Sequence, residues 1–97
     1  MENIHVENMT SRNGNKVANQ FVITQTGTLG TKEIFQSYDT VIAVREYGKV
    51  FLDEFFWDYS VTTGKYRNIF LNENIKETRE RIASGEYILT DLNNSEG

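Results

Sequence analysis

Glycine-containing turn signals divide the first half of the chain into short segments in which apolar and polar residues alternate. Asn13-Gly14, the glycines of TGTLGT and Tyr47-Gly48 mark three such turns. Residues 40–46 and 49–56, on either side of the third turn, are rich in β-branched and aromatic side chains. Because successive side chains of a strand point to opposite faces, this period of two predicts strands joined by hairpins.

The same alternation predicts four further strands. They are the segment around Ile4 and Val6, the run through Phe21 and Ile23 to Thr26, residues 33–38, and a closing strand at residues 86–92.

Helical signals replace this alternation after residue 59. Ser60, Thr62 or Thr63 is expected to cap a helix that runs to about Leu71. A second helix is expected to start at Asn74, because an Asn followed three residues later by Glu77 fits a capping box. Gly85 supplies the left-handed residue that typically ends such a helix.

Strands followed by helices predict an α+β domain, in which a small, curved, largely antiparallel sheet carries two helices packed on one face. A chain of 97 residues has the size of one compact domain. We expect that domain to cover residues 1–92 and the polar residues 93–97 to form a flexible C-terminal tail.

Charge is distributed unevenly along this acidic chain, whose net charge is -4. Residues 39–58 carry five acidic side chains against two basic ones, whereas residues 60–82 carry five basic against three acidic. Because affinity for nucleic acids comes largely from neutralising phosphates, this pattern disfavours a phosphate-binding surface over the whole domain. The acidic stretch suits a basic protein surface instead.

Cysteine is absent, so the chain has neither a disulfide framework nor a thiolate zinc site, which fits a reducing compartment. The longest apolar runs are about four residues, far short of the roughly 20 needed to span a bilayer. We therefore expect a cytoplasmic protein that does not contact the membrane.

Catalytic and metal-binding signatures are weak. His5 is the only histidine and lies near the N-terminus, where a solvent-facing strand position is the simpler interpretation. Asp53, Glu54 and Asp58 are close enough in sequence to suggest a carboxylate-bound cation. Neighbouring residues of a strand, however, point to opposite faces, so Asp53 and Glu54 are not expected to line one site. We predict no catalytic residue, no metal site and no cofactor.

The segment FFWDYSVTTGKYRNIFL, residues 55–71, is either a binding site or part of the scaffold. Strand alternation and helical spacing place Phe55, Tyr66 and Phe70 in the core and leave one ring of the Phe56 and Trp57 pair partly exposed. Arg67 is expected to pair with an acid such as Asp58. The residues predicted for partner binding are Asp53, Glu54, Trp57, Asp58, Tyr59, Lys65 and Arg67.

Five segments carry a resemblance to a known group of proteins: KVANQFVI, IFQSYDTVIAV, VFLDEFFWDYSVTTGKYRNIFL, ETRERI and SGEYILTDLN. They resemble a family of small uncharacterised proteins from bacteriophages, plasmids and integrative elements, over most of residues 17–93. The resemblance transfers no activity and no functional residue. It implies a context in which proteins of this size are often accessory binders, including inhibitors of host defence such as anti-CRISPR proteins.

Three functional hypotheses follow. The first is a non-catalytic protein that binds a host or element-encoded protein partner, such as a nucleic-acid-handling complex. The alternative is a single-stranded nucleic-acid binder that stacks bases on Trp57, Tyr59 and Tyr66 beside Lys65. The last is a metal enzyme built on the carboxylates at residues 53, 54 and 58.

Overall fold

The computed structural model describes residues 3–94, which form six strands and two helices. In chain order these are β1 (Asn3–Thr10), β2 (Lys16–Gly27), β3 (Gly30–Ser37), β4 (Thr40–Glu46), β5 (Lys49–Asp53), α1 (Val61–Leu71), α2 (Ile75–Ala83) and β6 (Tyr87–Thr90).

The strands form one open sheet in the order β1-β2-β3-β4-β5-β6. The first five strands pair antiparallel with their sequence neighbours, whereas β6 pairs parallel with β5. A parallel neighbour requires a long crossover, and here both helices form it. The predicted α+β class and the largely antiparallel sheet are confirmed.

The hairpin between β4 and β5 has the predicted turn. Tyr47 and Gly48 have φ angles of 56° and 75°, and two successive positive φ values suit the twist of a two-residue hairpin. β4 occupies the predicted residues 40–46, but β5 ends at Asp53, earlier than predicted. The reason is local, since the backbone N–H of Trp57 donates to the Asp53 carbonyl (3.0 Å) and closes a turn.

Both helices have the kind of cap that the sequence predicts. Ser60 caps α1 by accepting a hydrogen bond from the backbone N–H of Thr63, and Asn72 ends the helix in the left-handed region. Asn74 and Glu77 form the capping box of α2. Within residues 3–94, neither helix is long and apolar enough to cross a membrane.

The core lies between α1 and the middle of the sheet. The Phe70 ring of α1 stacks on Phe35 of β3 with centroids 5.9 Å apart, and the Arg45 guanidinium lies 4.5 Å from the centroid of the same ring. Ser37 of β3 hydrogen-bonds Thr63 of α1. The core residues are Met9, Phe35, Ile42, Ala43, Leu52, Tyr66, Phe70, Leu71 and Tyr87.

A buried acid ties α2 to β6. Glu73 accepts hydrogen bonds from the Tyr87 hydroxyl (2.8 Å), the Thr78 hydroxyl (2.6 Å) and Nε of Arg81 (3.1 Å). Burial, followed by the hydrogen bond to Glu73, raises the pKa of Tyr87 to about 12. This cluster fixes the crossover against the edge strand of the sheet.

Candidate interaction loop between the sheet and the first helix

The loop between β5 and α1, residues 54–60, exposes three aromatic rings, and we call it the aromatic loop. Phe55, Phe56 and Tyr59 are 68%, 37% and 48% exposed. Their rings meet edge to face, with centroids 6.5 Å apart between Phe55 and Phe56 and 5.5 Å apart between Phe56 and Tyr59. Rings grouped in this way on a surface favour association with another molecule.

Asp53, at the end of β5, holds the first half of the aromatic loop. Its side chain is fully buried. Oδ2 accepts from the backbone N–H groups of Phe55 (3.0 Å) and Phe56 (2.9 Å). Oδ1 accepts from the backbone N–H of Leu92 (2.8 Å) and from Nδ2 of Asn93 (3.0 Å). Four donors compensate the desolvation of this carboxylate.

Asn93 extends this connection to β4. Its Oδ1 accepts from the backbone N–H of Val41 (2.6 Å), and its Nδ2 donates to the Val41 carbonyl (2.9 Å). The C-terminal tail that the sequence predicts to be flexible starts at Asn93. The side chain of this first tail residue is hydrogen-bonded to the sheet. Residues 95–97 lie outside the described residues, and their flexibility stays a prediction.

Arg67, on α1, holds the second half of the aromatic loop from beneath and is only 1% exposed. Nη1 donates to the Trp57 carbonyl (2.7 Å) and to Oδ1 of Asp58 (3.0 Å), while Nη2 donates to Oδ1 of Asn68 (2.9 Å). The guanidinium also lies 5.1 Å from the centroid of the Trp57 ring. The predicted pairing of Arg67 with Asp58 is confirmed.

Asp58 has a second cationic neighbour. Its Oδ2 lies 3.6 Å from Nη2 of Arg79, an exposed residue of α2. The carboxylate therefore links the loop to both helices, more strongly to buried Arg67 than to exposed Arg79, because solvent screens the second pair.

The predicted partner-binding residues fall into two groups. Asp53 and Arg67 are buried and bond to the chain itself, so neither offers its polar atoms to a partner in this structure. Glu54, Asp58, Tyr59 and Lys65 are exposed, and Trp57 is half-buried, and for these residues partner contact stays a prediction.

Phe55 corrects one of the sequence predictions. Tyr66 and Phe70 join the core as predicted, and Phe56 is the more exposed ring of its pair with Trp57. The prediction that Phe55 is buried is wrong, because β5 ends at Asp53 and strand alternation stops there. The sequence does contain a signal for this, since Asp often caps a turn by accepting from N–H groups two and three residues later.

No group of three His, Asp or Glu side chains that would suit a metal ion occurs within residues 3–94. The Asp53 carboxylate already accepts hydrogen bonds from four N–H donors. The Asp58 carboxylate already pairs with Arg67 and Arg79. His5 lies 3.6 Å from the Glu7 carboxylate, and both side chains are exposed.

A protein-family profile matches residues 4–86 of this chain, well over half of its length. The chain belongs to DUF8033, a family of unknown function. The part of the chain that matches DUF8033 includes the aromatic loop, both helices and the first five strands except Asn3, and it stops just before β6. No functionally curated protein and no solved structure matches the chain.

Proposed function

We propose that this DUF8033 protein is a non-catalytic interaction protein that binds a protein partner through the aromatic loop. One observation carries the proposal: three exposed rings sit on a loop that buried Asp53 and Arg67 hold at both ends. Aromatic side chains contribute a large share of the energy at protein interfaces. A loop that is ordered before binding loses less conformational entropy on association.

The charges around the rings favour a basic partner. Glu54 is exposed directly before Phe55, and the exposed Asp39 belongs to the same acidic stretch of sequence, whereas Asp58 already pairs with Arg67 and Arg79. A partner surface with an apolar pocket rimmed by Lys or Arg would complement both features.

The resemblance to mobile-element proteins extends the proposal to a class of partner. Host complexes that handle nucleic acids present basic channels, and an acidic, aromatic loop would compete for such a channel. In this proposal the protein comes from a phage, plasmid or integrative element, acts in the cytoplasm of a bacterial host, and inhibits a defence complex in the manner of an anti-CRISPR protein.

We infer that both helices lie against one face of the sheet, behind the aromatic loop. Arg45 and Tyr87 both pair with Val50 in the sheet register, which places the three side chains on the same side. Arg45 contacts Phe70 of α1, and Tyr87 contacts Arg81 of α2. The loop would then leave the end of the sheet beside this helical layer.

Single-stranded nucleic-acid binding is the second candidate, because exposed rings also stack on bases. Two contacts weigh against the predicted stacking set. Tyr66 is buried in the core, and one neighbour of the Trp57 ring is already the Arg67 guanidinium. The exposed Glu54 carboxylate adds repulsion from phosphates.

Affinity capture from a bacterial host lysate tests the proposal with a matched pair of variants. The double substitution Phe55→Ser with Tyr59→Ser removes two exposed rings, whereas Leu29→Ser removes a still more exposed apolar side chain from the β2-β3 hairpin. We expect the wild type and the Leu29 variant to retain one specific protein that the loop variant loses. Equal recovery by all three proteins would contradict the proposal.

Titration of labelled single strands at low salt separates the two candidates. Quenching of Trp57 fluorescence, together with an affinity that falls steeply with salt, would favour the nucleic-acid binder. We expect neither effect.

A further inference from the structure

A continuous row of apolar side chains crosses all six strands of the sheet, and we call it the apolar row. Each member pairs directly with the next across the sheet. The row consists of Val6, Ile23, Ile34, Val44, Phe51 and Ile88, one from each strand in order from β1 to β6.

The apolar row points away from the side chains that contact the helices. Val44 and Phe51 directly adjoin Arg45 and Val50 in their strands, and neighbouring residues of a strand point to opposite faces. The same holds for Ile88 beside Tyr87. Since Arg45 and Tyr87 contact α1 and α2, the row lies on the open face. Its two ends are exposed, with Val6 at 57% and Ile88 at 39%, whereas Val44 at its centre is only 7% exposed. Ile23, Ile34 and Phe51 are half-buried.

The open face is large enough for a stable interface. Six strands about 4.8 Å apart give a width of about 30 Å, and three side-chain rows on this face give a depth of about 20 Å. Two such faces would bury roughly 1,200 Å² in total, which reaches the range of specific protein interfaces. The apolar row is the middle one of these three rows, and polar residues such as Lys32 and Glu46 lie beside it.

The charged residues beside the row are arranged so that the face complements itself. Lys32 and Glu46 form a cross-strand pair on β3 and β4, two residues from Ile34 and Val44 and on the same face. The boundary between β3 and β4 is also the centre of the six-stranded order.

We propose that two copies of this chain pack these open faces together as a symmetric dimer. A two-fold axis parallel to the strands, at the boundary of β3 and β4, places β3 of one copy over β4 of the other. Lys32 then faces Glu46 of the partner subunit, and the same contact occurs a second time by symmetry. Ile34 faces Val44 of the partner subunit, and the exposed end at Val6 faces Ile88 of the partner subunit.

This proposal is independent of the aromatic loop. The loop lies beyond the end of β5, whereas the apolar row crosses the sheet through Phe51, within β5. Because different residues form the two surfaces, loss of the dimer and loss of partner capture are separate results. A dimer would carry two copies of the aromatic loop.

Analytical ultracentrifugation over a concentration series, with circular dichroism as the check on folding, tests the dimer. We expect a wild-type dimer and at least a tenfold larger dissociation constant for Val6→Lys, which brings a charge into the apolar interface. Val61→Lys is the matched control, because Val61 is an exposed apolar residue at the start of α1, and it should leave the dimer intact.

Charge exchange tests the predicted symmetry. Lys32→Glu and Glu46→Lys should each weaken the dimer, and the double variant should restore it. A wild-type protein that stays monomeric at about 100 μM, where a micromolar dimer is almost fully assembled, would overturn the proposal. So would a dimer that Val6→Lys leaves unchanged while the Phe55 and Tyr59 double variant dissociates it.

Discussion

At the scale of single residues, two buried acids hold this fold together through hydrogen bonds instead of ion pairs alone. Asp53 gathers four N–H donors from the loop and from residues 92 and 93, and Glu73 gathers donors from α2 and β6. A buried donor that loses its acceptor costs free energy, because it no longer has water as a partner. Both acids are therefore expected to matter for stability.

Substitution of Asp53 by Asn tests the first of these acids. The amide keeps the size of the side chain but replaces one acceptor oxygen by an NH₂ donor, which would face N–H groups. We expect the free energy of unfolding to fall by about 1 to 3 kcal/mol. Asp39→Asn, at an exposed position, should change it by less than about 0.5 kcal/mol. Urea denaturation of both variants measures the difference, and equal values would show that the Asp53 hydrogen bonds add no stability.

Tyr87 gives the cluster around Glu73 a dependence on pH. Its pKa is about 12 in the folded protein, against an ordinary value of 10.0. The raised pKa favours the folded state fully below pH 10, and this contribution disappears as the pH rises to about 12, because the unfolded chain releases the proton first. We expect the free energy of unfolding to fall across this window.

Tyr87→Phe should make that fall shallower, since no phenol remains to titrate at this position. Tyr47→Phe removes an exposed hydroxyl and should keep the wild-type slope. Urea unfolding at several pH values between about 9 and 12 compares the three proteins. A Tyr87→Phe slope equal to that of the wild type would contradict the assigned role of Tyr87.

At the scale of elements, the aromatic loop is ordered by contacts from both of its neighbours. Asp53 belongs to β5 and Arg67 to α1, and each bonds backbone groups of the loop. The planar guanidinium of Arg67 reaches Trp57, Asp58 and Asn68 at once, which a lysine ammonium does not reproduce. The order of the loop should therefore depend on this arginine.

Arg67→Lys is expected to loosen the loop while the sheet stays folded. Amide hydrogen exchange at residues 54–60 should speed up, because the hydrogen bonds to the Trp57 carbonyl and Asp58 are lost or weakened. Arg79→Lys alters only the exposed contact with Asp58 and serves as the control. Unchanged exchange in the Arg67 variant would mean that the loop is ordered by other contacts.

Local signals in the sequence were enough for several elements. The Tyr47-Gly48 turn and the capping box of α2 depend on residues a few positions apart, and both are confirmed. The sequence left three candidates for the N-cap of α1. Ser60 is the N-cap, whereas Thr63 is buried and hydrogen-bonds Ser37. That choice required knowledge of the tertiary contact.

Features set by distant residues were missed. Phe55 is an exception, because the turn at Asp53 that exposes it has a local signal in the sequence, but the bonds from residues 92 and 93 to the same carboxylate are about forty positions away. The parallel pairing of β6 with β5 depends on how two helices pack, which alternation does not reveal. The apolar row could not be predicted either, because its six residues become neighbours only once the register of every strand pair is known.

At the scale of the whole molecule, the sheet acts as a scaffold between two surfaces that differ in chemistry. In the proposed dimer, the apolar row and the Lys32–Glu46 pair beside it form a surface that suits a second copy. The aromatic loop is acidic and aromatic, which suits a basic partner. A dimer built on the open face would present two loops, and the effective concentration of the second would raise the affinity for a partner with repeated sites.

Site-specific photo-crosslinking in a bacterial host tests the central claim most directly. A photoreactive phenylalanine analogue replaces Phe55 in the aromatic loop, and in a matched protein it replaces Leu29 at the exposed β2-β3 turn. We predict one dominant protein adduct from position 55 that position 29 does not form, and its loss when Tyr59→Ser is added. Equal adducts from both positions, or adducts with nucleic acid alone, would contradict the assignment of the aromatic loop as a protein-binding site.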